Sequence, residues 1–205
     1  MPTTASPKKI DQALQLFRRH GGILRTGEAL NLGIHPRTLY GMRDVGLLER
    51  LGRGLYRLAA LPPLSDPDLV TVALKIPQSV ICLISALHFH QMTTQIPHAV
   101  SIAIKRGTEP PRLDYPPIRI YIFSGWAFSE GIETHLIDDT SIWVYSAEKT
   151  LADCFKYRNK IGMDTVREAF ELYKTRVKRK PRELLRFAKV CRVEKPMRPY
   201  LEAVI

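Results

Sequence analysis

Arg37, Arg43, Arg50, Arg53 and Arg57, together with the hydroxyl of Thr38, are the side chains in this 205-residue sequence best placed for one definable chemistry, the gripping of a polyanion. A guanidinium fork matches phosphate oxygens and the O6/N7 edge of guanine, and a threonine hydroxyl donates to phosphate. A second set of cations, Lys174, Arg176, Lys178, Arg179, Lys180 and Arg182, falls late in the chain. It serves either as a solvated face or as a second polyanion surface.

Residue patterns for other chemistries are weak. His88 and His90 are two apart, a spacing that does not share a helix face, and no third ligand is spaced near them. The pair Asp138-Asp139 lies between two strand-like runs and reads as a turn. Cys154 falls on an apolar helical stripe and reads as a packed thiol. No Ser-His-Asp or Cys-His grouping, P-loop, G-x-G-x-x-G or H-E-x-x-H motif occurs. The expectation is a protein that is not an enzyme and holds neither metal nor cofactor.

The charge distribution agrees with polyanion binding. The chain carries 31 Lys+Arg against 20 Asp+Glu, a formal net charge of +11. Residues 1–60 hold +6 of it and residues 156–198 hold +10, whereas residues 61–155 sum to −4. Two basic modules thus flank a neutral-to-acidic one, and nucleic acid is the first candidate partner. The three cysteines are too few and too far apart for a disulfide framework, and no run of 18 apolar residues is present. A cytoplasmic protein with no membrane contact is expected.

The elements that must position the first set of arginines are short. Ser6-Pro7 begins a helix with Ile10, Ala13, Leu14 and Phe17 on one face, stopped by Gly21-Gly22. Thr26 caps a second helix through Ala29 and Leu30, ended by Gly33. His35-Pro36 starts a third, with Leu39, Met42 and Val45 inward and Arg37, Tyr40, Gly41 and Asp44 outward; Thr38 and Arg43 lie on the flanks. Leu47–Leu51 and Leu55–Leu58 read as strands joined through Gly52-Arg53-Gly54, which puts Arg53 at a hairpin tip. Three helices and a terminal hairpin make a winged helix-turn-helix, whose third helix enters a major groove. Three prolines within Leu61–Pro67 mark a linker.

Beyond the linker, helices are expected from Ser65 or Asp66 through Ala73 and from Ile81 through His88. A sheet of about four strands follows at 100–104, 118–123, 132–137 and 142–145. Ser146 caps a helix with Ala147, Thr150, Leu151, Cys154 and Phe155 inward and Lys149, Lys156 and Lys160 pointing elsewhere. Two further helices place Val166, Ala169, Phe170, Tyr173 and Val177, then Leu184, Leu185 and Ala188, inward. The fold class is α+β: a winged helix-turn-helix over 1–60, a linker over 61–67, and a mixed sheet-plus-helices domain over 68–205.

The segments 24–29, 33–39 and 53–58, the stretch Ser146-Ala147-Glu148-Lys149-Thr150-Leu151-Ala152-Asp153-Cys154-Phe155-Lys156 and the closing Met197–Leu201 resemble the AbiEi antitoxins of bacterial type IV, or abortive-infection, toxin–antitoxin systems. The resemblance implies a phage-defence antitoxin that represses its own operon by binding inverted-repeat promoter DNA. It further implies neutralisation of a nucleotidyltransferase-type toxin without a stable complex. On the DNA side it assigns Arg37, Thr38, Tyr40 and Arg43 of the third helix and Arg53 and Arg57 of the wing. Charge alone nominates Lys156, Arg158, Lys160, Lys178, Arg179 and Lys180 for the antitoxin surface. The alternatives are a winged-helix transcription regulator with a small-molecule-sensing or catalytic C-terminal domain, and RNA in place of duplex DNA.

Overall fold

In the computed structural model, which describes residues 6–176 and 178–202, the chain divides into two compact units, Met1–Pro67 and Asp68–Ile205. Val177, expected on an inward helical stripe, lies outside the described residues.

The first unit opens with α1 (Pro7–Arg19), its proline at the first helical turn where no backbone donor is needed. Ser6 flanks it without a side-chain capping bond. The helix stops at Gly21 and Gly22, both at positive φ, and a Cβ on Gly22 would fall 2.2 Å from Leu61 Cδ1. There follows a strand absent from the sequence reading, β1 (Ile23–Arg25), three residues being too few to show a period. In α2 (Thr26–Asn31) the capping residue is Arg25, whose N–H donates to Glu28 Oε2 at 2.8 Å; Thr26 is the first helical residue rather than the cap. α3 (Pro36–Asp44) begins after His35, whose Nδ1 accepts from the Arg37 N–H at 3.2 Å.

Two strands complete the unit, β2 (Leu48–Gly52) and β3 (Leu55–Leu58), and the sheet runs β1-β3-β2, antiparallel throughout. Ala13, Phe17, Leu24, Ala29, Ile34, Leu39, Met42, Leu48, Tyr56 and Leu58 form its core. Complete burial of a side chain such as Phe17 or Leu39 stabilises by roughly 2–3 kcal/mol. Val45, expected inward, is 59% exposed, because α3 ends at Asp44 and the chain turns away from the stripe.

The second unit holds a mixed five-stranded sheet of order β6-β5-β4-β8-β7. α4 (Pro67–Lys75) leads into β4 (Val80–Ile81), a two-residue strand that takes Ile81 from the start of the expected helix, and α5 (Leu83–Phe89) follows. The other strands are β5 (Val100–Lys105), β6 (Ile118–Phe123), β7 (Ile132–Ile137) and β8 (Thr140–Tyr145), with the single-turn helix α6 (Trp126–Ser129) between β6 and β7. Asp138 and Asp139 form the β7–β8 turn, both at positive φ, as a two-residue hairpin connection requires. Then come α7 (Ala147–Lys156), α8 (Arg158–Ile161), α9 (Met163–Lys174), α10 (Pro181–Val190) and α11 (Glu194–Glu202). The last was not anticipated, since Pro196 and Pro199 argue against a helix.

One sheet face, with Val80, Ala103, Tyr121, Phe123 and Tyr145, packs in the same core as α7, α9 and α10; the other, with Ile81, Ile102, Ile104, Ile142 and Val144, meets Leu69 and Val72 of α4. α7 is therefore buried from Ala147 to Phe155, which corrects the outward placing of Lys149. Its Nζ stands 2.5 Å from Asp153 Oδ2, 4.2 Å from the Tyr145 ring centroid and 5.0 Å from that of Phe123. Asp153 Oδ1 in turn accepts from Cys191 Sγ at 3.1 Å. Burial pushes the Asp153 carboxyl above its ordinary range while the Lys149 ammonium opposes that shift.

Candidate nucleic-acid interface

Of the six residues assigned to DNA contact, four are exposed on α3 and the β2–β3 hairpin: Arg37, Tyr40, Arg43 and Arg53. On α3 the exposed positions 37, 40, 43 and 44 recur at helical spacing, opposite the buried Leu39 and Met42. The Tyr40 ring joins this helix to the hairpin, meeting the Tyr56 ring edge-on at a centroid distance of 6.5 Å. The Arg43 guanidinium lies 5.4 Å from the Tyr40 centroid and directs Nε and Nη2 to Asp44 Oδ1 at 2.8 and 2.6 Å. That bond to Asp44 raises the Arg43 pKa further above its ordinary value. Both partners face water, so the pair is a weak restraint that an incoming phosphate can displace.

The hairpin tip is fixed by its neighbours in the same unit. Gly54, at φ +67°, offers its carbonyl to the Thr26 N–H at 2.9 Å, and a Cβ there would approach Thr26 Oγ1 to 3.2 Å. The turn is thus tied to the start of α2 and needs glycine at 54. Arg53 is exposed at the tip, and Arg50 lies beside it with Nε 3.2 Å from the Gly52 carbonyl. Sequence reasoning placed Arg50 on this edge and left Arg25 out. Register sets Arg25 opposite Leu55, one strand from the tip, and the missing signal was strand β1 itself.

Two of the six residues are not on this surface. Thr38 is buried, at 4% exposure, because positions 34, 38 and 42 form one turn-by-turn row facing the core; it lines a groove of about 410 Å³ between α1 and the α2–α3 turn, alongside Lys9, Arg19 and His35. Arg57 is also buried, with its side chain only 6% exposed. Nη1 binds Glu49 Oε1 at 2.6 Å across the β2–β3 pair and lies 3.5 Å from the Leu61 carbonyl, while Nη2 donates to the Pro62 carbonyl. β3 is the central strand, and the chain after it folds back over the face that carries position 57. Arg57 therefore clamps the chain leaving the hairpin and lies away from the exposed face of α3.

The residues nominated for an antitoxin surface fall into two groups. Lys156 and Lys160 are exposed near the end of α7 and in α8, and the Lys160 Nζ stands 5.7 Å from the Tyr157 ring centroid. Arg158 is half-buried and donates from Nη1 to the Phe155 carbonyl at 2.9 Å, which closes the end of α7. Lys178, Arg179 and Lys180 are exposed between α9 and α10. There the Lys180 N–H donates to Glu148 Oε1 at 3.2 Å and to Tyr173 Oη at 2.9 Å, which anchors that segment beside the start of α7. The groups thus sit at opposite ends of α7, separated along its axis by about 12 Å at 1.5 Å per residue.

His88 is exposed and His90 buried, the latter with Nε2 2.7 Å from the Tyr145 carbonyl oxygen. Among the described residues no group of three His, Cys, Asp or Glu side chains is arranged to hold a metal ion, and no helix is long and apolar enough to cross a membrane.

Residues 11–59, which contain α2, α3 and the whole hairpin, match the family described as "Transcriptional regulator, AbiEi antitoxin", which bears out the resemblance over that span. The likenesses at 146–156 and 197–201 lie outside it. By that description the family is one of transcriptional regulators and antitoxins. No curated protein matches the chain. The fold as a whole is similar to the crystal structure of the RV2827C protein from Mycobacterium tuberculosis, with a TM-score of 0.59 and 11% sequence identity, covering 97% of this chain and 82% of that one. The similarity is one of fold, a mixed α+β architecture.

Proposed function

We propose that the first unit is a winged helix-turn-helix that binds operator DNA, with α3 in the major groove and the Gly52–Gly54 turn as the wing. In this reading the chain is the antitoxin of a type IV toxin–antitoxin system in the cytoplasm. It represses its own operon at inverted repeats and neutralises a nucleotidyltransferase-type toxin in phage defence. The observation that carries the reading is the joint exposure of Arg37, Tyr40, Arg43, Arg50 and Arg53 on one small unit within the matched span. Arginine forks on a rigid helix and a rigid turn supply phosphate and guanine contacts without a large ordering cost. Inverted repeats need two such units, from a dimer or from two monomers on one site. The second unit then carries the antitoxin role, with Lys156, Lys160 and Lys178–Lys180 as its cationic contacts.

The test is a titration of the full chain with duplex from its own promoter and with a shuffled duplex, across salt concentrations. The reading expects preference for the promoter and a steep fall of affinity with salt. Equal binding of both duplexes, or tighter binding of single-stranded RNA, refutes it. Co-expression of residues 68–205 alone with the neighbouring gene tests the second role: protection without repression is expected.

A further inference from the structure

The central strand β4 begins only at Val80, since the preceding residues turn off the end of α4, Ser79 N–H and Oγ both bonding to the Ile76 carbonyl at 2.9 and 2.8 Å. Register pairs Val80 with Ala103 of β5 and Ile81 with Val144 of β8. Beyond Val80, therefore, the ends of β5 and β8 are left with no strand between them. The gap is a cleft of about 550 Å³, lined by Ile76, Ile104, Phe128 and Trp143 together with Lys75 and Lys105. That volume is within the range of small-molecule sites, and an apolar wall with few polar groups is their usual composition. Trp143 is 40% exposed and lines the cleft, which offers an aromatic side chain for stacking.

We propose that this cleft binds a small planar aromatic monocarboxylate, its ring against Trp143 and its carboxylate on Lys105. The charge sets the class: the ammonium of Lys105 is a single counter-charge in the lining, which suits a monoanion rather than a nucleotide. Lys105 ends β5, is exposed, and forms no ion pair among the described residues, so its ammonium is available to a ligand. The site stands apart from the DNA-binding reading, since it lies wholly within the second unit.

The chain has two tryptophans, and Trp126 is 73% exposed, so Trp126→Phe in the full chain leaves emission that reports Trp143 alone. In that background 2-naphthoate is titrated beside the neutral 2-naphthamide. Saturable quenching by the carboxylate below about 1 mM is expected, weakened about tenfold or more for the amide and in Lys105→Gln, the loss of one charge-assisted bond. Calorimetric titration of Trp143→Leu, its fold checked by circular dichroism, is expected to show no binding. No saturable quenching, equal binding of the amide, or unchanged affinity in Lys105→Gln overturns the proposal.

Discussion

Replacing Arg57 by alanine separates the two roles that arginine plays in the first unit. In the folded chain its guanidinium holds Glu49 across the sheet and the carbonyls of Leu61 and Pro62 behind it. Truncation removes the donor from those carbonyls, but Leu61 is half-buried and Pro62 exposed, so water replaces it in part and the loss is roughly 1–2 kcal/mol, with the packing of the buried side chain added to it. Glu49 is 46% exposed and recovers solvent, so its share is small. The net expectation is a loss of about 1–3 kcal/mol, which in a unit of this size lowers Tm by roughly 5–20 °C. Arg53→Ala, at the exposed tip, is expected to change stability by no more than about 0.5 kcal/mol. DNA binding reverses the order. Measured well below the melting transition, Arg57→Ala keeps the wild-type salt slope, while Arg53→Ala weakens binding and reduces the slope by about 0.9, one phosphate's worth. Thermal denaturation and fluorescence anisotropy with promoter duplex read the two quantities. An Arg57→Ala protein of wild-type Tm that has lost DNA affinity refutes the clamp.

Asp44→Asn releases the Arg43 fork and removes an acid from the exposed face of α3, so promoter affinity is expected to rise and its salt dependence to steepen; equal or weaker binding in the same anisotropy titration contradicts the placement of α3 against DNA. Lys149→Ala strands the Asp153 carboxylate inside the second unit and opens a cavity beside Tyr145, so a loss of about 3–5 kcal/mol is expected in urea denaturation, whereas Lys149→Met, which removes the charge and keeps the volume, is expected to lose less when combined with Asp153→Leu than alone. His90 is held below its ordinary pKa first by burial, with the nearby Arg176 acting in the same direction against the Tyr145 carbonyl. A neutral imidazole is thus favoured by folding: its stabilisation is whole above the unfolded value of about 6.5 and is lost as pH falls from there to the depressed folded pKa. Melting temperature is expected to drop between pH 7 and pH 5.5, and His90→Gln to flatten that slope; an unchanged slope removes His90 as the cause.

The helices of the first unit were legible because each carries its own punctuation: Pro7 and Pro36 at first turns, Gly21, Gly22 and Gly33 at ends, and apolar residues at helical spacing between. The hairpin was legible from two glycines around Arg53. What failed were judgements about which side of an element faces water. Thr38 reads as a flank position on a helical wheel, yet α1 packs against that flank. Arg57 alternates with core residues Tyr56 and Leu58, a pattern that means solvent only while nothing returns over the sheet, and here Leu61 and Pro62 do. β1 and β4 escaped notice for a different reason, having three and two residues; each exists only because a partner strand supplies its hydrogen bonds.

Lys149 shows why charge counting is weakest where helices are covered on all sides. Its neighbours Glu148 and Asp153 are buried too, so a stretch of sequence that looks amphipathic and soluble is the inside of the second unit. Each of those charges is met at close range: Glu148 by the Tyr173 hydroxyl at 2.9 Å, Lys149 by Asp153 at 2.5 Å and by two aromatic faces. Gly131 permits this, for a Cβ there would stand 2.8 Å from the Lys149 Cβ and 2.9 Å from Phe187. The distinctive Glu-Lys-Thr-Leu-Ala-Asp-Cys-Phe segment is accordingly a buried keystone of packing, and a polyanion can meet only the cations at its two ends. Of the cations in and beside this segment, Lys149 is thus removed from any antitoxin surface, and Lys156 and Lys160 at one end and Lys178–Lys180 at the other stay exposed. Charge reversal at one end at a time, read as loss of protection with melting temperature preserved, tests each for that role.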